Sequence, residues 1–241
     1  MSKHLRIWLF VILGTLLATT TLLAQGVITM TTSRAVGEEI GLSIKANGNV
    51  TIEGAQETSD YDTYTLTLTS QTVTIRGDVT ELDCRESQLT SLDVSKNTAL
   101  TRLVCFYNQL TSLDVSKNTA LKILACQDNQ LTSLDVSKNI ALTKLLCSNN
   151  KLTSLNVSGC TRLTFIDCTS NYIKGKAMTK LVNSLPNRRE KSSGTLLVVD
   201  CSSQKRDRNR CSAADVTTAK RKNWKVLKDR GPYDWVSYSG D

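Results

Sequence analysis

Histidine is almost missing from this sequence, since its single copy, His4, lies within the first 24 residues. Residues 1–24 start with Lys3 and Arg6, continue through an apolar run and end in Leu-Leu-Ala before Gln25, a pattern typical of a secretory signal peptide. We therefore expect a mature chain without histidine. Such a chain has no Ser–His or Cys–His nucleophile pair and no histidine-ligated metal site. The sequence predicts no enzyme, no metal and no cofactor.

Several other targeting signals are missing. No cysteine stands at the expected cleavage site, which argues against a lipoprotein, and the sequence shows no wall-sorting motif and no C-terminal membrane span. The apolar run is short for a membrane span and is interrupted by three threonines at 19–21, although a retained anchor is the alternative. We expect a secreted or cell-surface protein with no membrane span in the mature chain. The sequence leaves open whether it is anchored or released.

Charge is distributed unevenly along the chain. Residues 25–173 carry 12 Lys or Arg and 15 Asp or Glu, whereas residues 174–241 carry 16 and 7. The basic C-terminal segment could bind an anionic polymer such as a glycosaminoglycan, lipopolysaccharide or nucleic acid. Ordinary solvated surface is the alternative interpretation. The basic clusters are Arg188-Arg189, Lys205-Arg206, Arg208, Arg210 and Lys220-Arg221-Lys222.

The sequence does contain one phrase that returns every 21 residues between 79 and 173. Its core reads L-x-x-L-x-(L or C)-x-x-N-x-L, and a fixed period of this length with this core is the signature of leucine-rich repeats. One copy cannot bury its own apolar side, so neighbouring copies must stack. We expect one short strand per copy, with Leu103 and Cys105 facing inward, and extended or 3₁₀ turns in the return half. The copies start at Val79, Leu100, Leu121, Leu142 and Leu163.

Two positions of each copy predict a structural framework. One cysteine per copy forms a column of buried thiols, because parallel Cβ vectors disfavour a disulfide and a column is not a tetrahedral metal site. One asparagine per copy stands where the chain leaves the strand, and its amide can bond backbone groups that the turn leaves unpaired. The cysteines are Cys84, Cys105, Cys126, Cys147 and Cys168, and the asparagines are Asn108, Asn129, Asn150 and Asn171.

These 21-residue repeats, with a cysteine in place of one core leucine, resemble the cysteine-ladder branch of the bacterial internalins. The phrase LTSLDVSKN resembles internalin-related secreted proteins of Bacteroidetes. The resemblance is tight over 79–173. It implies an extracellular, non-enzymatic binding protein used in adhesion or host contact. The predicted fold class is α/β: a right-handed leucine-rich-repeat solenoid, or horseshoe, with a parallel sheet on its concave face and a cap at each end.

Residues 25–78 predict a β-rich N-terminal cap, because apolar and polar residues alternate there. Asn47-Gly48 predicts a hairpin turn within it. Listeria-type internalins carry a helical unit at this end, so this sequence departs from them. An independent β domain with its own ligand is the alternative.

Residues 174–241 predict a basic α/β C-terminal cap. Apolar residues at helical spacing from Met178 to Leu185, followed by Pro186, predict a first helix. Strands are expected at 195–199 and 224–227, and Ser212 with Asp215 predicts a capping box for a helix over 213–222. The sequence offers two interpretations of Cys201, which either extends the cysteine column or forms a disulfide with Cys211.

A candidate binding surface emerges when the copies are compared with each other. Their return halves are nearly identical, whereas the outward strand positions differ from copy to copy. A constant framework with a varied face is typical of a binding surface, although drift on an unconstrained face gives the same pattern. An apolar centre with a charged rim often marks a protein partner. The predicted binding residues are Arg102, Val104, Phe106, Tyr107, Ile123, Gln127, Lys144, Leu146 and Phe165.

The expected partner is a protein of a host or bacterial surface, and a homodimer through the same face is the competing interpretation. The second expected partner is an anionic polysaccharide, which the basic C-terminal segment would bind. A catalytic carboxylate pair is not expected. Asp83 and Asp167 lie four strand steps apart, about 19 Å, whereas a glycosidase pair needs about 5–10 Å.

Overall fold

The computed structural model describes residues 26–57, 64–200, 208–229 and 234–240. The predicted signal peptide, Cys201 and the Lys205-Arg206 pair lie outside the described residues, so the structure does not test those predictions. Within the described ranges the strands form two sheets, one of 4 and one of 11 strands. No helix in these ranges is long and apolar enough to span a membrane.

The strands and helices follow the chain in three groups. The N-terminal unit and the first repeat contain β1 (Val27–Thr32), β2 (Glu39–Ala46), β3 (Thr51–Glu53), β4 (Ala55–Glu57), β5 (Tyr64–Leu68), β6 (Thr72–Arg76), β7 (Val79–Asp83) and β8 (Leu89–Asp93). The later repeats contribute β9 (Arg102–Val104), β10 (Ile123–Ala125), β11 (Lys144–Leu146) and β12 (Phe165–Asp167). The C-terminal unit contains α1 (Lys176–Ser184), β13 (Gly194–Asp200), α2 (Ala213–Arg221), β14 (Trp224–Asp229) and β15 (Trp235–Ser237).

Each repeat contributes one short strand to the larger sheet. The strands β7, β9, β10, β11 and β12 pair in parallel with a constant offset of 21 residues, so that Arg102, Ile123 and Lys144 lie side by side. The chain returns through turns, and no helix forms between β7 and α1. The prediction of extended or 3₁₀ turns in the return half is correct in that no α-helix replaces them, but the described turns form no 3₁₀ helix. A 21-residue step leaves no room for a crossover helix.

The expectation of a purely parallel sheet is wrong at both ends. β13 and β14 continue the parallel arrangement, but β15 pairs antiparallel with β14. At the other end β2 pairs antiparallel with β7, and β5 and β4 follow beyond it. An antiparallel strand covers an exposed sheet edge without needing a long crossover. The sheet is therefore mixed.

The hairpin prediction at Asn47-Gly48 is also wrong. Both edges of β2 are occupied, by β5 and β7, while β3 pairs with β6 in the smaller sheet. The chain at 47–50 therefore passes from one sheet to the other instead of turning back on itself. The smaller sheet has the order β3-β6-β1-β8, and its last strand belongs to the return half of the first repeat.

One continuous core connects the three parts of the chain. Buried apolar side chains run from Ile28 through the repeats to Val226 without interruption. The predicted helices are confirmed: α1 buries Met178, Leu181 and Val182, and α2 starts with the predicted capping box.

Candidate binding surface

The five repeat cysteines form the predicted column, and all of them are fully buried. Burial raises the pKa of four of these thiols, Cys84, Cys105, Cys126 and Cys147. For Cys126 the pKa is raised to about 12. A thiol that stays protonated at neutral pH acts as a small apolar side chain. Among the described residues no group of three or more His, Cys, Asp and Glu side chains could hold a metal ion.

The asparagines after the strands hold the backbone just beneath the candidate surface. Asn129 is typical: its Nδ2 donates to the carbonyl oxygens of Cys105, Cys126 and Gln127 at 3.0, 3.2 and 3.2 Å. Its Oδ1 accepts from the amide of Leu110 at 3.0 Å. One buried amide therefore satisfies four backbone groups in two successive copies. The same arrangement recurs at Asn108, Asn150 and Asn171.

A second asparagine column lies on the return side, and its role was not predicted from the sequence. The Nδ2 of Asn118 donates to the carbonyl oxygens of Val94 and Asn97 at 3.0 and 2.8 Å. In contrast to the first column, the Oδ1 atoms here have no hydrogen-bond partner among the described residues. The sequence signal for this second column is the asparagine that ends the phrase LTSLDVSKN in copies one to three. The members are Asn97, Asn118 and Asn139.

The outward side chains of the larger sheet form rows that cross the strands. What we call the first row passes through the first residues of β9 to β12 and the residues that pair with them on either side. The middle row lies two residues further along the parallel strands. The register of the pairs fixes both rows. The first row is Lys45, Glu81, Arg102, Ile123, Lys144, Phe165, Thr195 and Lys225. The middle row is Asp83, Val104, Ala125, Leu146, Asp167 and Leu197.

The prediction that Val104 belongs to an exposed patch is wrong. Val104 is only 1% exposed, and its neighbour Ala125 only 4%. Both side chains are short, and longer outward side chains precede and follow them along the chain, such as Arg102 and Phe106 around Val104. The apolar surface is therefore not continuous but divided, with half-buried Ile123 and Leu146 between two aromatic groups.

The first aromatic group, which we call the Tyr107 cluster, consists of Asp83, Arg85, Phe106 and Tyr107. Arg85 forms an ion pair with Asp83 and lies 4.7 Å above the centre of the Phe106 ring. The rings of Phe106 and Tyr107 meet edge to face at 5.3 Å. Tyr107 is 56% exposed. The cluster therefore presents an exposed aromatic ring that packs on Phe106, and the Phe106 ring in turn contacts Arg85.

Tyr107 also has an unfavourable backbone conformation. Its φ angle is 52°, in the left-handed region, as are those at the equivalent position of every copy. Asparagine, as at Asn149, tolerates this conformation, whereas for a bulky residue it costs about 1–2 kcal/mol. The repeat pattern predicts the position of this turn but not its handedness. The equivalent residues are Glu86, Asp128, Asn149 and Ser170.

The second group, which we call the Trp235 cluster, consists of Lys144, Phe165 and Trp235. The Lys144 ammonium lies 5.1 Å from the centre of the Phe165 ring, and the Trp235 ring lies 6.0 Å from it. Trp235 is 48% exposed. Trp235 was not predicted as a binding residue, because the antiparallel return of β15, which brings it to the sheet face, has no local signal in the sequence.

Part of the basic C-terminal segment has a structural role instead of the predicted polymer-binding one. Arg188 is only 5% exposed and donates to the carbonyl oxygens of Leu163 and Ser192 at 3.1 and 2.9 Å. The ammonium of Lys222 donates to the carbonyl oxygens at the end of α1, including that of Leu185 at 3.0 Å, and desolvation lowers the pKa of Lys222. These two residues are therefore not part of a free basic surface.

Comparison with known proteins shows a partial likeness to a solved structure. No family model matches the chain, and no curated protein matches it. The chain is similar to a solved structure of the functional domain of InlJ from Listeria monocytogenes, which includes a cysteine ladder. The two share 32% sequence identity, with a TM-score of 0.46. The similarity covers 63% of this chain but only 30% of that one.

Proposed function

We propose that this protein is a secreted or cell-surface binding module that holds a protein of a host or bacterial surface against its sheet face. The observation that carries the proposal is the pair of exposed aromatic groups, the Tyr107 and Trp235 clusters, on a face whose buried framework repeats unchanged. Aromatic side chains and arginine are the usual anchors of protein interfaces. Half-buried Ile123 and Leu146 lie between the two groups and supply apolar contact area.

The strained turn at Tyr107 supports this role. The fold itself would accept asparagine there, as it does at Asn149 in copy four. A bulky side chain in a left-handed turn is therefore best explained by a contact outside the chain, since strain of this kind concentrates at functional sites. The Phe106 ring, which also contacts Arg85, restricts the Tyr107 ring from one side, which lowers the entropy cost of binding.

Export of the protein is the second part of the proposal. It rests on the sequence of residues 1–24, with Lys3 and Arg6 before an apolar run. N-terminal sequencing of the protein recovered from its native host is expected to start at Gln25. A chain that keeps its first residues and fractionates with membranes would support the retained anchor instead.

The experiment is a pull-down from host-cell surface and bacterial envelope extracts, with the purified protein as bait, at low and high salt. We expect a protein to be retained at high salt, because apolar contacts are not screened by ions. Phe106→Ala plus Leu146→Asp should abolish its retention. The matched control is Thr111→Ala plus Thr153→Asp, which makes the same kinds of change at exposed return-side positions of the same two copies.

Three outcomes would contradict the proposal. Retention that survives Phe106→Ala plus Leu146→Asp would exclude the sheet face. Recovery of a partner at low salt alone, lost when Lys220 and Arg221 are neutralised, would assign binding to an anionic polymer. Self-association in sedimentation experiments that the same face variant abolishes would show that the face joins two copies of this chain.

A further inference from the structure

We propose that the protein segment held on the sheet face is acidic, with Asp or Glu side chains lying along the first row and apolar side chains reaching the middle of the face. This inference rests on the proposed function and adds the chemistry of the partner. It follows from how the charges of the face are paired within the chain.

The acidic residues of the face are already satisfied. Glu81 forms an ion pair with Lys45 at 3.1 Å, and Asp83 forms one with Arg85. Asp167 accepts hydrogen bonds from the amide and the hydroxyl of Thr169 at 3.1 and 2.8 Å. A carboxylate that is paired inside the face contributes little to attraction or repulsion of a partner.

Apart from Lys45, the basic residues of the first row are not paired in this way. Arg102, Lys144 and Lys225 form no ion pair with any described residue, and Lys144 and Lys225 are exposed. The strand register places them in one line, with Arg102 and Lys144 about 10 Å apart and Lys144 and Lys225 about 14 Å apart. The first row is thus a line of unpaired cations about 24 Å long.

The opposite side of the face has the opposite charge. The left-handed turn of copy one carries the exposed carboxylate of Glu86 there. An acidic segment would be repelled from this turn and attracted to the cations of the first row. The charges of the face therefore determine where the segment lies. The Tyr107 cluster and Leu146 then remain available to its apolar side chains.

The alternation of basic and apolar side chains along the first row favours a protein partner over a polysaccharide partner. Ile123 separates Arg102 from Lys144, and Phe165 follows Lys144. A uniformly sulfated polymer would place charged groups against these apolar side chains, which costs desolvation energy. A polypeptide can alternate carboxylate and apolar side chains to match.

The test is a selection of displayed random short peptides on the purified protein, followed by fluorescence anisotropy with the synthesised consensus peptide. We expect enriched peptides that combine Asp or Glu with aliphatic or aromatic residues. Arg102→Glu plus Lys144→Glu should weaken the consensus peptide about tenfold or more. The control is Lys96→Glu plus Lys138→Glu, exposed return-side lysines that are also two copies apart, and it should change affinity less than twofold, about the level of screened charges.

Each other result overturns the inference. A neutral or basic consensus, no enrichment, or an equal loss of affinity in the control would do so. Enriched peptides with no apolar preference that dextran sulfate displaces completely would assign the cations to a polymer. The fate of the proposed function is separate. A neutral consensus that still fails to bind Phe106→Ala plus Leu146→Asp would leave the sheet face as the binding site, with a partner that is not acidic.

Discussion

The side chains have different roles on the return side and on the sheet side of the repeats. On the return side, copies one to three carry the same phrase LTSLDVSKN, and its polar residues bond the backbone: Asp114 accepts from the amide of Ser116 at 2.8 Å, and Asn118 donates to two carbonyl oxygens. On the sheet side the outward residues change in every copy, although their strands pair in one register. The cysteine and asparagine columns hold those strands from beneath, so the outward residues do not determine the fold.

Copy four supports this view, because its return side changes where another element packs against it. Gly159 replaces the lysine of the earlier copies, and a Cβ there would lie 1.9 Å from the carbonyl oxygen of Ser137. The amide of Val157 donates to the hydroxyl of Ser184, the last residue of α1, at 3.1 Å. Cys160 replaces asparagine and bonds the carbonyl oxygen of Val136. A constant position thus varies once its surroundings differ.

The largest expected effect comes from removing one amide of the sheet-side column. Asn129→Ala leaves the carbonyl groups of Cys105 and Cys126 and the amide of Leu110 without their partner inside the protein. We expect the free energy of unfolding to fall by about 3 kcal/mol. Equilibrium unfolding in urea measures it.

The matched change on the return side is Asn118→Cys, which repeats what copy four does naturally at Cys160. Since the Oδ1 of Asn118 has no partner, less is lost, and we expect a decrease of about 1 kcal/mol. Equal effects of Asn118→Cys and Asn129→Ala would contradict the difference between the two columns.

An effect between those of Asn129→Ala and Asn118→Cys is expected within the cysteine column. Cys126→Ser places a hydroxyl where burial is complete and should cost about 2 kcal/mol. Gln127→Ser, on the outward side of the same copy, is the control and should stay within about 0.5 kcal/mol. Because burial raises the pKa of Cys126 to about 12, the native thiol should also resist alkylation at neutral pH. Rapid labelling of Cys126 in the folded protein would show that the column opens.

Replacing the outward residue Tyr107 should increase the stability of the fold, in contrast to the replacements above. Tyr107→Asn relieves a left-handed turn and should raise the free energy of unfolding by about 1 kcal/mol, while it weakens partner binding. Tyr172→Asn is the control, since Tyr172 is 36% exposed and has no positive φ angle. A loss of stability in Tyr107→Asn would mean that the tyrosine supports the fold and is not there for a partner.

The predictable features are those fixed by the period or by short-range patterns. The 21-residue step gave the strand register and the cysteine column, because each copy has the same neighbours as the next. The spacing of Met178, Leu181 and Val182 gave α1, and Ser212 with Asp215 gave the start of α2. All of these depend on contacts within one copy, one helix turn or one step of the repeat.

The features that could not be predicted depend on contacts between distant segments. The pairing of β2 with β7 overrides the local turn signal at 47–48. The return of β15 brings Trp235 to Phe165 on the sheet face. The burial of Val104 depends on the lengths of the side chains around it, which alternation along a strand does not describe. Because of these contacts, the structure has two separate aromatic clusters where the sequence predicted one exposed apolar patch.

The smallest effect concerns the acidic residues of the return side. The pKa values of Asp93, Asp114 and Asp135 are lowered by hydrogen bonds from the serine two residues further on, against a weak opposing effect of desolvation. A carboxyl group with a lowered pKa stabilises the fold above its ordinary pKa. That contribution is lost as the pH falls through the lowered value.

The triple variant Asp93→Asn, Asp114→Asn and Asp135→Asn should therefore lose less stability than the original protein when the pH falls below about 4. Copy four already has the neutral version, since Asn156 accepts from the amide of Ser158 at 3.1 Å. Urea unfolding over a series of acidic pH values measures the difference between the two curves. Parallel curves would mean that these three aspartates do not cause the acid sensitivity of the fold.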